Sequence, residues 1–146
     1  MAANPSRFVH YTQCQFIFTC KSKTFIRIMG KLKDEGINIL GYTASRGCDS
    51  KELDVKLVVG RDGQERDVNW ERFVRDTLKY NGVSYSINLV SYITVPAAGV
   101  PGTLYTIWKK LQDEDIRVYN GYLTEDGGMI FETNSVARVA DIVLSL

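Results

Sequence analysis

Two stretches of this chain, FVHYTQCQFIFTC at 8–20 and VSYSINLVSYITV at 83–95, share a length and a texture. Each has a mixed first half and then alternates apolar with polar residues, the period of a strand with one buried face. Each then runs into a stripe of period 3.6. Phe25, Ile28, Met29 and Leu32 form one stripe; Leu104, Ile107, Trp108 and Leu111 form the other. Both predict an amphipathic helix with its apolar face inward. The phrases KLKDEGINILGY (31–42) and KLQDEDIRVYNGY (110–122) follow, nearly the same words twice. The copies lie 75 positions apart at Phe8 and Val83 but 79 apart at Lys31 and Lys110, so the second carries extra residues in the corner VPAAGVPG.

Each copy continues alike. GINILGYTA and DIRVYNGYL read as second strands, ELDVKLVVG and GMIFET as third strands, with the turns RGCDSK and TEDGG between them. A second helix then buries Trp70, Phe73, Val74, Thr77 and Leu78 in the first copy, and Val136, Val139, Ala140 and Val143 in the second. Asp67 or Asn69, and Asn134 or Ser135, are the N-cap candidates. The order is βαββα twice, one strand short of a closed ferredoxin-like sheet each time.

The long strands supply what is missing. Thirteen residues at ~3.3 Å each span about 43 Å, more than twice an ordinary strand. Residues 83–95 therefore close the first copy, with about 83–88, and open the second. The second copy runs out at DIVLSL, so residues 7–12 are expected to close its sheet. The expected fold is α+β: two ferredoxin-like βαββαβ repeats, 7–82 and 83–146, with antiparallel sheets, helices on one face and long strands shared between repeats. Cys14, Phe16, Phe18, Cys20, Leu89, Ile93 and Val95 should face the helices. Gln15, Ile17, Thr19, Asn88, Val90, Tyr92 and Thr94 then form the opposite face, which is expected to stay open and to pair two chains.

Composition narrows the function. Of 146 residues, 45% are hydrophobic and 24% charged, and the net charge is +1, which argues against a sequence-independent grip on nucleic acid or anionic lipid. No apolar run approaches the ~20 residues of a membrane span, and MAANPSRF has no signal-peptide core, so a cytoplasmic protein is expected. Cys14 and Cys20 sit too far apart along one strand to pair, no CxxC occurs and His10 is the lone histidine. Buried free thiols are expected, with no metal site, no cofactor and no catalytic residues. GRDG and EDGG are turn signals too short for a dinucleotide or metal loop. Aromatic RNA readers on the third strands are lacking except for Phe131.

The paired βαββαβ pattern, the entry GVPGTLYTIWKKLQDEDI and the phrase EGINI resemble the tandem ACT-domain family, regulatory modules that bind amino acids and related small molecules. The resemblance spans about residues 8–144. It implies a small-molecule-binding regulatory module without catalytic activity, binding an amino acid or related carboxylate and assembling as a homodimer or higher oligomer. Ligands of the family sit at the corner between first strand and first helix, facing a neighbour's second strand. Carried over, that places Ala98, Gly99, Val100, Pro101, Gly102 and Thr103 at the ligand, with Asn38 and Ile39 across from them.

The residues depart from the family in two places. Gly99 stands where an Asp or Asn usually holds the ligand's amino group, and Val100 replaces the usual Arg, so carboxylates without an α-amino group should bind no worse than amino acids. The first copy's corner, CKSKTFIRI, has neither Gly nor Pro. Two readings of the second corner stay open: a ligand site at a helix N-terminus, or a tight turn needing Gly99, Pro101 and Gly102 for its backbone. The alternative function is a ligand-independent oligomerisation or interaction adaptor.

Overall fold

The computed structural model describes residues 8–48, 50–95 and 102–146. Ten elements follow one another: β1 (Val9–Lys21), α1 (Ser22–Asp34), β2 (Ile39–Ser45), β3 (Glu52–Val59), α2 (Val68–Tyr80), β4 (Tyr85–Thr94), α3 (Thr103–Asp113), β5 (Val118–Leu123), β6 (Met129–Thr133) and α4 (Val136–Leu144). Hydrogen-bonded neighbours run in the order β2-β3-β1-β4-β6-β5. The class is α+β with ferredoxin-like halves, as the alternation of periods indicates.

The chain divides into two compact units, and the division falls inside both long strands. One unit is residues 14–88; the other joins residues 1–13 to 89–146. In the first, β3 pairs antiparallel with β1 from Phe16↔Leu57 to Lys21↔Glu52, and β2 pairs antiparallel with β3. Gln15 Nε2 donates to Asn88 Oδ1 at 3.1 Å, and the Phe16 and Tyr85 rings lie 6.0 Å apart. In the second, β4 and β5 both pair antiparallel with β6. There His10 Nε2 lies 2.9 Å from Ser91 Oγ, and the Tyr11 and Tyr92 rings are 5.6 Å apart. In the first unit the partner along β4 falls from Asn88 to Tyr85 as β1 advances from Gln15 to Phe16.

Each unit has its own core. Cys14, Phe16, Phe18 and Cys20 of β1 pack with Phe25, Ile28 and Leu32 of α1, Val55, Leu57 and Val59 of β3, and Val74 and Leu78 of α2. In the other, Ile93 packs with Ile107, Leu111, Met129, Phe131, Val139, Ile142 and Val143. Asp67 and Ser135 are the N-caps, accepting from the Trp70 and Arg138 backbone N–H groups. Those two resolve the paired candidates, and Asn134 instead accepts from the Arg117 N–H.

The outer sheet face departs from expectation. Val90 and Tyr92 have no exposure, and neither has Gln15. The face is thus closed at Gln15, Val90 and Tyr92, while Thr19 is exposed and Ile17, Asn88 and Thr94 are half-buried. A strand pattern shows that a face is partly apolar; it does not show whether the same chain covers it. Leu89, expected to face a helix, is 47% exposed, and Cys48 is exposed while Cys14 and Cys20 are buried thiols. Glu71 is the least expected core residue. It is buried in the first turn of α2 and takes a bidentate grip from Arg66, at 2.7 and 3.0 Å. Pairing of that geometry is what lets a carboxylate stay charged inside.

Two measurements test the pairing of β1 with β4. Deleting residues 1–12 removes most of the β1 segment that belongs with 89–146 and bares a strand edge. The deletion is expected to aggregate or to melt far below the parent; an unchanged melting curve would refute the arrangement. Burial also lowers the His10 imidazole below its ordinary value of 6.5. Below that pH the unfolded chain takes up a proton that the folded chain resists. Stability present above pH 6.5 is therefore lost as pH falls through the lowered folded value. Chemical denaturation against pH should show that slope in the parent and a flatter profile in His10→Gln.

Candidate functional site

The corner leading into α3 is the sequence-predicted site, and only its end lies within the described residues. Ala98, Gly99, Val100 and Pro101 fall outside them. Gly102 is the N-cap of α3 and adopts φ +88°, ψ −1°, the left-handed region. Among the described residues a Cβ there would meet nothing within 4 Å, and the left-handed backbone itself favours glycine. The Gly102 carbonyl accepts from the Thr106 N–H at 2.9 Å and from Thr106 Oγ1 at 3.0 Å. Among the described residues neither α1 nor α3 has a side-chain cap or an acidic residue in its first turn, whereas Asp67 caps α2 and Ser135 caps α4. Thr103 is the first residue of the helix.

Asn38 and Ile39 belong to the unit of residues 14–88, and Gly102 and Thr103 to the other. Within its own unit Asn38 is half-buried and its Nδ2 donates to the Gly60 carbonyl at 2.8 Å, while the Gly60 N–H returns a bond to the Asn38 carbonyl at 3.1 Å. One amide proton is thus committed to holding the start of β2 against the end of β3. Ile39 is half-buried and packs on the core of that unit.

The equivalent corner of the first copy is built differently. Lys21 is the N-cap of α1 in an ordinary extended conformation, φ −71°, ψ 153°, and Arg46 reaches Ser22 Oγ at 2.6 Å. An open groove of about 690 Å³ adjoins this corner, lined by polar residues that include Thr19, Lys21, Thr24, Asn81, Ser84 and Ser86.

Beside the first turn of α3 lies a feature the sequence stripe did not announce. Leu104 and Trp108 were expected to face inward with Ile107 and Leu111. Ile107 and Leu111 are buried, but Leu104 is 51% and Trp108 42% exposed. Both line a cleft of about 110 Å³ with Gly121, Tyr122, Leu123, Met129 and Phe131. The Trp108 ring stands edge-on to Phe131, with centroids 5.5 Å apart. A Cβ on Gly121 would come within 3.2 Å of both rings, so this glycine makes room for the aromatic pair over β5. The spacing of Gly121 from Trp108 across the repeat was the signal available for finding this.

The β5–β6 turn beside the cleft is tied by Asp126, which accepts from Tyr92 Oη and Thr124 Oγ1 and, at 3.3 Å, from the Gly128 N–H. Burial alone would raise its carboxyl; the hydrogen bonds outweigh burial and hold it below the ordinary value. Burial, with Glu132 nearby, raises the Tyr122 hydroxyl, which therefore stays protonated at neutral pH. Among the described residues no group of His, Cys, Asp and Glu is arranged to hold a metal ion. No described helix is long and apolar enough to cross a membrane.

No family model and no curated protein sequence matches this chain. Solved structures do share its fold. Protein BT0572 from Bacteroides thetaiotaomicron superposes with a TM-score of 0.68 at 14% identity, covering 94% of this chain and 89% of that one. The ligand-free regulatory subunit of aspartate kinase from Thermus thermophilus gives 0.60 at 10% identity, over 94% and 91% of the two chains. The aspartate kinase of Clostridium acetobutylicum gives 0.57 at 13% identity, covering 99% of this chain and 35% of the enzyme. The chain shares its fold with regulatory subunits of aspartate kinase.

Replacing Gly102 probes the backbone directly. Gly102→Ala is expected to cost about 1–2 kcal/mol in urea denaturation, the ordinary penalty of a Cβ in the left-handed region. Gly102→Val should cost more. A neutral Gly102→Ala would show that the corner adopts another conformation in solution.

Proposed function

We propose that this chain is a small-molecule-binding regulatory module without catalytic activity, formed by two ACT-type repeats, 7–82 and 83–146, that interlock through β1 and β4. Its ligand is an amino acid or a related carboxylate. The observation that carries this reading is the start of α3: it is opened by a left-handed glycine, Gly102, where α1 opens on an ordinary extended Lys21. Such an end attracts a carboxylate and lets it approach the backbone. Residues 98–103 are the proposed ligand contacts at that corner, and Asn38 and Ile39 are further proposed contacts. Asn38 Nδ2 spends one proton on the Gly60 carbonyl and keeps its second for the ligand. The shared fold with a regulatory subunit of aspartate kinase supports the regulatory role.

A second reading, assembly as a homodimer or adaptor, is favoured by one surface. Leu104, Tyr105, Trp108, Tyr119 and Leu123 expose apolar area on α3 and β5, and β5 ends the strand order. Exposed apolar patches beside an unpaired strand are where chains associate. This surface takes the place of the outer sheet face as the site of oligomer formation.

Thermal denaturation with amino acids and small carboxylates separates the two readings. A ligand at 100 times its Kd adds about 2.7 kcal/mol to stability. Gly102→Val should abolish that response, and Asn38→Ala should weaken binding by up to about tenfold through loss of one hydrogen bond. If no carboxylate shifts the parent while Tyr105→Glu converts an oligomer to monomer in sedimentation, the adaptor reading replaces the ligand-binding one.

A further inference from the structure

We infer that the outward face of α1 is a docking surface for an acidic helix of a partner protein, which comes close over Gly30 and is held by the cations around it. The face lies wholly within residues 14–88 and does not depend on the carboxylate reading above. Phe25, Ile28 and Leu32 are buried and form the inner stripe of α1. At about 3.6 residues per turn the opposite side carries Lys23, Ile26, Arg27 and Gly30, with Lys31 and Lys33 at its two borders. All four cations are exposed, and none is ion-paired among the described residues. Lys23, Arg27 and Lys31 stand four apart in one row, a spacing at which like charges lower helix stability. Asp34, the one acid of the helix, is its last residue, and Asp76 of α2 shares a groove with Lys31 without pairing with it. Lys21 at the N-cap and Arg46, bonded to Ser22, extend the positive charge around the start of the helix.

Gly30 is the second observation. A glycine inside a helix is less stable than an alanine because it has more backbone freedom to lose. Its φ is not left-handed and, among the described residues, a Cβ there would meet nothing within 4 Å. Neither backbone nor crowding asks for glycine at this position, and on an outward face a missing side chain makes room for another backbone. Ile26, one turn earlier and 65% exposed, offers an apolar contact beside the bare spot. The fold itself requires none of this, as α3 shows. At the spacing of 79 seen at Lys31 and Lys110, Lys23 answers to Gly102, Arg27 to Thr106, Gly30 to Lys109 and Lys33 to Gln112. The two cations that α3 does carry, Lys109 and Lys110, are paired with Asp113 at 3.1 Å and Glu114 at 3.3 Å. The occupant follows from charge and shape. A helix laid along α1 keeps its own backbone bonds and presents a carboxylate at each turn to the row of Lys23, Arg27 and Lys31. A lipid surface fits poorly, because the apolar stripe of α1 faces the core and leaves only Ile26 to enter it.

The test uses the full chain and a fluorescently labelled synthetic helix of Glu, Ala and Leu, followed by anisotropy at about 0.15 M salt. The expected result is that this helix binds and a counterpart with Gln in place of Glu does not. Gly30→Leu and Arg27→Glu should each weaken binding by about tenfold or more, while Lys109→Gln on α3 should leave it unchanged. Gly30→Ala should raise the melting temperature by about 2–4 °C, as for a helix glycine with no task inside its own chain. A fall in that temperature would show that Gly30 serves the fold and would overturn the inference. Equal affinity of the parent and Gly30→Leu would overturn it too, since ordinary surface charge is indifferent to that glycine. Arg27→Glu, at an exposed position, carries the comparison with Lys109→Gln if Gly30→Leu does not fold. The inference also falls if the acidic helix does not bind, or if a DNA duplex or phosphatidylserine vesicles bind more tightly than it does.

Discussion

Everything in this fold depends on the backbone pairing of β1 with β4. A ferredoxin-like half needs four strands to cover two helices, and neither half owns four between its first and last residue. Each borrows a portion of a strand that begins in the other. Unpaired strand edges expose donors and acceptors and invite association; β1 and β4 are neighbours in the middle of one six-stranded sheet, with β2 and β5 at its ends. The price is that no core residue of either half is secure unless both long strands keep their register. His10 against Ser91 and Gln15 against Asn88 are polar contacts placed along that seam, one in each unit.

Much of this was legible from the sequence because two periods alternate cleanly and do so twice. Phe25, Ile28 and Leu32 are buried as the stripe requires, and so are Ile107 and Leu111. Asp67 and Ser135 cap their helices because a short oxygen-bearing side chain just before an apolar period has few better uses. The failures have physical reasons too. Val90 and Tyr92 sit on a face whose cover is decided by tertiary folding, which periodicity does not encode. Glu71 looks like a solvated helix residue until Arg66, five positions earlier, is seen to reach it. Leu104 and Trp108 obey the helical period, yet period gives direction only. The depth of burial depends on what lies opposite, and there the second copy has Gly121 where the first has Tyr42.

The candidate site was legible to a different degree. That the α3 corner needed unusual backbone was evident from its glycines and prolines, and the left-handed Gly102 agrees with that need. The hydrogen bond from Asn38 to Gly60 was not visible, because an amide on a strand looks equally ready for a ligand and for a neighbouring carbonyl. The asymmetry between the copies was visible as lost glycines in the first corner. Its deeper form, Phe25 against Phe18 and Tyr42 in one copy and Trp108 against Phe131 over Gly121 in the other, required the partners of each residue across the sheet.

The position of the division between units, inside β1 and β4, also bears on how the molecule responds to dilution. A polypeptide with only one helix pair would complete its sheet by trading strands with a second molecule, and its integrity would then follow mass action. Carrying both helix pairs on one chain turns that exchange into an intramolecular event with a fixed effective concentration. The seam between β1 and β4 therefore holds equally well at nanomolar and millimolar protein, whatever further association the surface of α3 and β5 supports.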